Sequence, residues 1–551
     1  NIKEYISGNR GEQLLNFYKR YEERVILMPA AHKKEYHGAF PGGYVAHVNR
    51  VVEGSLRLYD MWEEMGCNMT TFTKEELVFS AINHDLGKMG DKEHESYIPQ
   101  TDKWRKDKLG EDYMFNKKLV FCSVPDRGLF LLQQHDISYS FNEMVAIQTH
   151  DGLYDVANEK YLAHNKVYLT DHLLMPGLIN AHTHAAMSLF KGFADDLTLQ
   201  TWLTDRIWPA EKKFVDEKFV HQGSRLAIAE MIRSGVTTFN DMYFFPKETA
   251  EAAMQIGMRA NLGLVLLEFP TKYASDPDDY LTKGLAFRDL YRDEVLITTS
   301  MAPHAPYSVS DESFIKVNTY AQELDLKVHV HLHETKFEVE ESLKSYGLTP
   351  IQRLDALGIL GPHISAAHCV HLNDTDLDIL AKNNVCVIYN PSSNLKLGSG
   401  LADIKTMLEH DICIAIGTDS SASNNRLDIL SELNCALLIN KGVNHEADFL
   451  NPSEVLKMAT INGAKAIGQE SRLGSLESGK YADLVAINMN CLEMKPIYEP
   501  LASLLYSGNR SMVTDVWING QPQLRDQELI NIDVNELLNG IDSWKHRISQ
   551  I

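Results

Sequence analysis

The stretch LLMPGLINAHTHAAM, Leu173 to Met187, runs as an apolar segment and ends on two histidines one residue apart, His182 and His184. Two apart on an extended strand, they face the same way and can share one cation. Two ring nitrogens leave a divalent ion under-coordinated, so other parts of the chain must supply further donors.

Working outward from that segment, seven more apolar runs follow the same plan. They are GVTTFNDM, RANLGLVLL, VLITTSMAPH, KVHVHLHE, HISAAHCVH, VCVIYN and ICIAIGTDS, separated by longer amphipathic stretches. Repeated βα units of this kind over about 300 residues predict a (β/α)8 barrel of the TIM type, with chemistry at the C-terminal ends of the strands. The polar residues fall at those ends: His182 and His184 after the first run, His304 after the fourth, and His331, His333 and Glu334 after the fifth. His368 follows the sixth and Asp419 the eighth. Any one of these histidines is readily explained as a core or surface residue. Their agreement at five strand ends is not.

The chemistry this pattern suggests is metal-assisted hydrolysis. His331 and Asp419 complete a ligand set with His182 and His184 around one zinc or other divalent ion, leaving one position open for water. Glu334 is placed to carry protons, and His368 to orient the attacking oxygen or stabilise its charge.

The motifs PGLINAHTH, HLHET, AAHCVHL and GTDSSAS, in this order over about 170–490, resemble the amidohydrolase superfamily, and within it the 5'-methylthioadenosine/S-adenosylhomocysteine deaminases. The resemblance implies metal ligands at His182, His184, His331 and Asp419, with Glu334 and His368 as catalytic groups beside Asp419. TWLTDRIWPAE resembles the deaminases' substrate loop, which implies Trp202 packing near a nucleoside and Glu211 accepting from the ribose hydroxyls. His304 is then expected to meet the purine. Binuclear relatives carry a carboxylated lysine on the fourth strand; VLITTSMAPHAPY has none, which implies one metal. The implied reaction releases ammonia and an inosine-type product. A triazine or pterin hydrolase uses the same metal constellation, so the barrel motifs alone leave the substrate open.

Residues 1–165 read differently. GGYVAHVNRVVEGSLRLYDMWEEMG and KEELVFSAINHDLGKM carry apolar residues at three-to-four spacing, predicting an all-helical domain. His47, the doublet His84–Asp85, and His150 beside Asp151 form a second candidate cluster for a divalent metal. GGYVAH and HDLGK resemble HD-type phosphohydrolases, which implies His47, His84 and Asp85 as ligands and His150 less securely. Lys88 is either a phosphate contact or a solvated lysine. The aspartate that closes such sites has Asp171 as its only nearby candidate. Alternatives are therefore a nucleotide phosphohydrolase or a non-catalytic nucleotide-sensing module.

The expected domains are 1–165 (all-helical), 169–470 (the barrel) and 471–551, a small β appendage with a terminal helix. Relatives in the amidohydrolase superfamily carry roughly fifty residues of strands before the first barrel motif. Here those are replaced, which leaves YADLVAIN and VTDVWING without their usual partners. A length of 551 residues exceeds one ordinary core.

A net charge of -22 argues against nucleic acid or an anionic membrane as the main partner but says little about a small substrate, since a local pocket can oppose the global sign; the small-molecule nucleoside substrate is what the resemblance implies. Seven cysteines without a CxxC pair suit reduced thiols. Together with an N-terminus lacking an apolar signal core and no run of about 18 apolar residues, this makes the cytoplasm the expected compartment. Asn1 rather than Met at the start implies that residues upstream were removed or left out. A homo-oligomer is left open.

Overall fold

The computed structural model describes residues 2–32, 38–64, 72–120, 122–150 and 171–550. The chain divides into two compact units, Asn1–Tyr168 and Leu169–Ile551. Asp151 and the join at 155–170 lie outside the described residues.

The first unit is mainly helical. Gly8–Arg20, Gly43–Glu64, Lys74–Asn83, Val124–Gln134 and Phe141–Gln148 pack around Leu14, Phe17, Val52, Phe79 and Leu132. Thr73 opens the third of these helices with a capping box to Glu76, which satisfies two of its orphan amides. The all-helical expectation needs one correction. Strands β1 (Tyr97–Pro99) and β2 (Tyr113–Phe115) pair antiparallel. Three residues each are too few to impose a readable alternation.

In the second unit the opening stretch is two strands, not one. β3 (His172–Pro176) ends at Pro176, and β4 (Leu178–Thr183) begins the barrel. Between them Gly177 passes so close to Thr237 that a Cβ would lie 2.1 Å from its Oγ1. β4 is followed by β5 (Val236–Asp241), β6 (Arg259–Leu266), β7 (Ile297–Pro303), β8 (Val328–Leu332), β9 (Ile364–His368), β10 (Cys386–Tyr389) and β11 (Ile414–Ile416). Each pairs parallel with the next. Seven of the runs read from the sequence are β5 to β11, and the first spans both β3 and β4.

The barrel closes through polar side chains. Asn180 on β4 donates to Thr418 Oγ1 at 2.7 Å, and the Thr418 amide returns to Asn180 Oδ1 at 3.0 Å. Gly417 permits this approach, since a Cβ there would lie 2.8 Å from the His182 backbone nitrogen.

The appendage is an antiparallel sheet of β12 (Leu484–Asn488), β13 (Val513–Ile518), β14 (Gln521–Arg525) and β15 (Glu528–Leu529), followed by the helix Val534–Ile548. Its fifth strand is β3, which pairs with β12 from Pro176↔Leu484 to His172↔Asn488. The sheet therefore reaches outside 471–551 for a strand, and YADLVAIN is not left without a partner. Asp171, the candidate closing ligand of the helical cluster, belongs to this unit, where its carbonyl accepts from the Met489 amide. Among the described residues no helix is long and apolar enough to cross a membrane.

Candidate metal centre

Five strand ends place their polar residues at one rim. His182 Nε2 and His184 Nε2 lie 3.5 and 3.3 Å from Asp419 Oδ1, and His331 Nε2 lies 3.3 Å from His184 Nε2. The donor atoms of His182, His184 and Asp419 sit within 4.8 Å of one another, as do those of His182, His331 and His368.

The surrounding bonds aim these donors inward. His184 Nδ1–H donates to the Met242 carbonyl at 2.6 Å and His331 Nδ1–H to the His304 carbonyl at 2.9 Å, so each presents the lone pair of Nε2. His182 Nδ1 is bonded to His329 at 2.8 Å. Its Nε2 is buried and has no hydrogen-bond partner. A buried polar atom is rarely orphaned without a reason. Here the reason fits a cation.

Asp419 is fixed as firmly. Ser393 and Ser423 donate to its Oδ2 at 2.6 and 2.9 Å, leaving Oδ1 for the histidines. Burial pushes its carboxyl up, but the adjacent His182 and His184 rings outweigh that and hold it well below the usual range. Nitrogen and carboxylate donors with one side open are the donor set zinc takes at hydrolytic sites.

Glu334 follows the tip of β8, its carboxyl pushed up to about 8 by burial and by the neighbouring Asp419 charge. Its Oε2 lies 3.8 Å from His368 Nε2. His333 turns away. Its backbone adopts φ 54°, and its ring spans the His371 carbonyl and the Ile351 amide.

These groups open into a cavity of about 1200 Å³, which Trp202, Glu211 and His304 also line. Trp202 is buried, with its indole N–H unpartnered. Glu211 accepts from the Tyr243 hydroxyl at 2.7 Å; burial pushes its carboxyl up to about 7, the Tyr243 bond opposing. His304 is bonded to Ser308 through Nδ1 at 2.7 Å. Of the barrel residues singled out from the sequence, all but His333 face the metal centre or this cavity.

The amidohydrolase family pattern matches residues 173–522. The 5-methylthioadenosine/S-adenosylhomocysteine deaminase of Teredinibacter turnerae is 41% identical over 444 residues, covering 79% of this chain and 98% of the relative. The enzyme of that name from Saccharophagus degradans is 44% identical over 380 residues, covering 69% and 85%. The chain belongs to the amidohydrolase family.

Among solved structures, this amidohydrolase is similar to an adenosine deaminase from Xanthomonas campestris with bound zinc. The identity is 43%, the TM-score 0.68, and the match covers 69% of this chain and 87% of the other. It shares its fold with an atrazine chlorohydrolase from Arthrobacter aurescens, at 22% identity and TM-score 0.65, covering 70% and 91%.

Sequence reading missed the residues that hold this amidohydrolase's site together. The short helix Pro391–Lys396 follows β10. Its Ser393 holds Asp419, and its Asn394 donates to His368 Nδ1 at 2.9 Å. Ser399, just beyond, reaches Glu334 at 3.4 Å. The signal was available, because NPSSN follows an apolar run at the same rim. Asp241 on β5, which accepts from the Ala185 amide at 2.6 Å, had no comparable signal.

In the helical unit the four candidates also converge. Asp85 Oδ2 lies 3.3 Å from His47 Nε2 and 3.5 Å from His84 Nε2, and Asp85 Oδ1 lies 3.3 Å from His150 Nε2. Lys88 donates to Asp85 at 2.6 Å and is not a solvated lysine. Burial opposes ionisation of Asp85, but bonds from His150 and His47 hold it far below the usual carboxylate range.

Proposed function

We propose that the barrel is a hydrolytic deaminase of adenosine-type nucleosides, of the 5'-methylthioadenosine and S-adenosylhomocysteine kind. The observation that carries this reading is the convergence of His182, His184, His331 and Asp419 at the floor of the cavity that Glu334, His304 and Glu211 line.

The four converging residues are the ligands of one divalent ion, zinc by preference, which when bound brings the pKa of a coordinated water toward neutrality. Glu334 takes a proton from the attacking water and delivers it to the purine ring nitrogen beside the amino-bearing carbon. Oxygen adds to that carbon, its remaining proton passes by way of Glu334 to the amino group, which leaves as ammonia, and an inosine-type nucleoside remains. His368 faces the same oxygen and meets its developing charge. His304 contacts the purine, Trp202 packs beside the substrate, and Glu211 accepts from the ribose hydroxyls. The ribose contact separates this reading from a triazine or pterin hydrolase, since a ribose-free heterocycle has no use for Glu211.

Zinc-loaded protein is expected to release ammonia from methylthioadenosine, and His182→Ala to lose both this activity and about one metal per chain. Retention of full metal content and activity in His182→Ala rejects the assignment.

A second reading belongs to the helical unit. The cluster of His47, His84, Asp85 and His150 supports an HD-like domain that binds a divalent metal and hydrolyses nucleotide phosphate esters. Phosphate release from nucleotides, abolished by Asp85→Ala but not by His182→Ala, is the expected result. Metal binding without phosphate release favours a sensing module instead.

A further inference from the structure

The cavity of about 1200 Å³ extends beyond Glu211, away from the metal end. Trp208 stands one turn before Glu211 on the helix Trp208–Phe214, and Phe269 faces it from the loop after β6. Their ring centroids are 6.3 Å apart, and both rings line the cavity while remaining 38% and 42% exposed. Two aromatic rings in edge-to-face contact on a cavity wall offer an apolar ligand group a rigid contact surface.

The charges there are distributed unevenly. Among the described residues lining the cavity, the lysines and arginines are Lys212, Lys272 and Arg353. Arg353 is buried and committed, donating to Asp311 at 2.6 Å and to the Pro306 carbonyl at 2.8 Å. Lys272 donates to the Lys213 carbonyl at 2.9 Å, and Lys212 is exposed. Glu268 and Glu341 are among the carboxylates of the same lining. An amino-acid chain on the 5' carbon offers its ammonium to these acids, but its carboxylate meets only a committed buried arginine and lysines at the surface. An ion pair with an exposed lysine contributes little. A thioether lying against the pair of aromatic rings makes favourable sulfur contacts instead.

We propose that this part of the cavity selects an uncharged, apolar 5'-substituent, held against the edge-to-face pair of Trp208 and Phe269. The proposal rests on the deaminase reading and narrows it: the methylthio nucleoside is preferred over the homocysteine-bearing one.

The test compares kcat/KM for adenosine, methylthioadenosine and S-adenosylhomocysteine in zinc-loaded full-length protein, alongside Trp208→Ala and Phe269→Ala. Methylthioadenosine is expected to exceed S-adenosylhomocysteine by about tenfold or more. In each variant the ratio of methylthioadenosine to adenosine is expected to fall about tenfold. Equal or better use of S-adenosylhomocysteine, or an unmoved ratio in either variant, overturns this selectivity alone. Ammonia from none of the three nucleosides overturns the deaminase reading as well.

Discussion

Asn394 donates its side-chain amide to Nδ1 of His368 at 2.9 Å. A neutral imidazole that accepts at Nδ1 carries its proton on Nε2, and burial keeps this ring neutral, its pKa pushed down to about 4. In the proposed reaction His368 would therefore meet the attacking oxygen as a hydrogen-bond donor. Asn394→Asp preserves the shape but replaces the amide donor with an acceptor, which draws the ring proton to Nδ1. We expect kcat to fall by about 10²–10³, the cost of losing one such donor, with metal content unchanged. A kcat within about threefold of wild type would show that the tautomer is immaterial.

A second prediction concerns the joint between barrel and appendage. Arg259 at the start of β6 is paired with Asp483 just before β12, at 3.0 and 3.1 Å, and both side chains are buried. Asp483 also accepts from the Asn519 amide at 2.7 Å. Asp483→Ala strands a buried guanidinium, and we expect a loss of about 3–5 kcal/mol in chemical denaturation. The double change Arg259→Met with Asp483→Leu removes both charges and should recover most of that loss. A double variant as unstable as the single one would mean that packing, not charge, governs this joint.

The strand ends were legible because a barrel repeats one rule eight times: apolar run, then polar tip. His150 was less secure in the sequence because helix position alone does not say which face it presents, yet its ring reaches Asp85. What escaped reading depended on contacts between distant segments. Nothing in LLMPGLINAH announces that the chain leaves one sheet for another at Gly177, since only the proximity of Thr237 and the pairing with β12 impose it. His333 obeys the two-residue spacing from His331 but its left-handed backbone carries it elsewhere. Ser393 and Asn394 carried the same signal, since NPSSN follows an apolar run, but it does not say which catalytic group each one holds.

The last prediction follows from the position of Glu211. Its carboxyl is pushed up to about 7 by burial, the Tyr243 hydroxyl opposing. A carboxylate accepts from two ribose hydroxyls only when ionised, and below its pKa it becomes partly a donor. A raised pKa means the accepting form is lost as pH falls through about 7, so kcat/KM for methylthioadenosine should drop between about pH 8 and pH 6. Glu334, raised to about 8, titrates in the same direction and must be separated. Both substrates need Glu334, whereas only a nucleoside needs Glu211. The ratio of kcat/KM for methylthioadenosine to that for a free purine base therefore cancels the Glu334 contribution. That ratio should fall about tenfold over the interval in wild type and stay level in Glu211→Gln. A ratio that is flat with pH in the wild-type enzyme would remove Glu211 from ribose recognition.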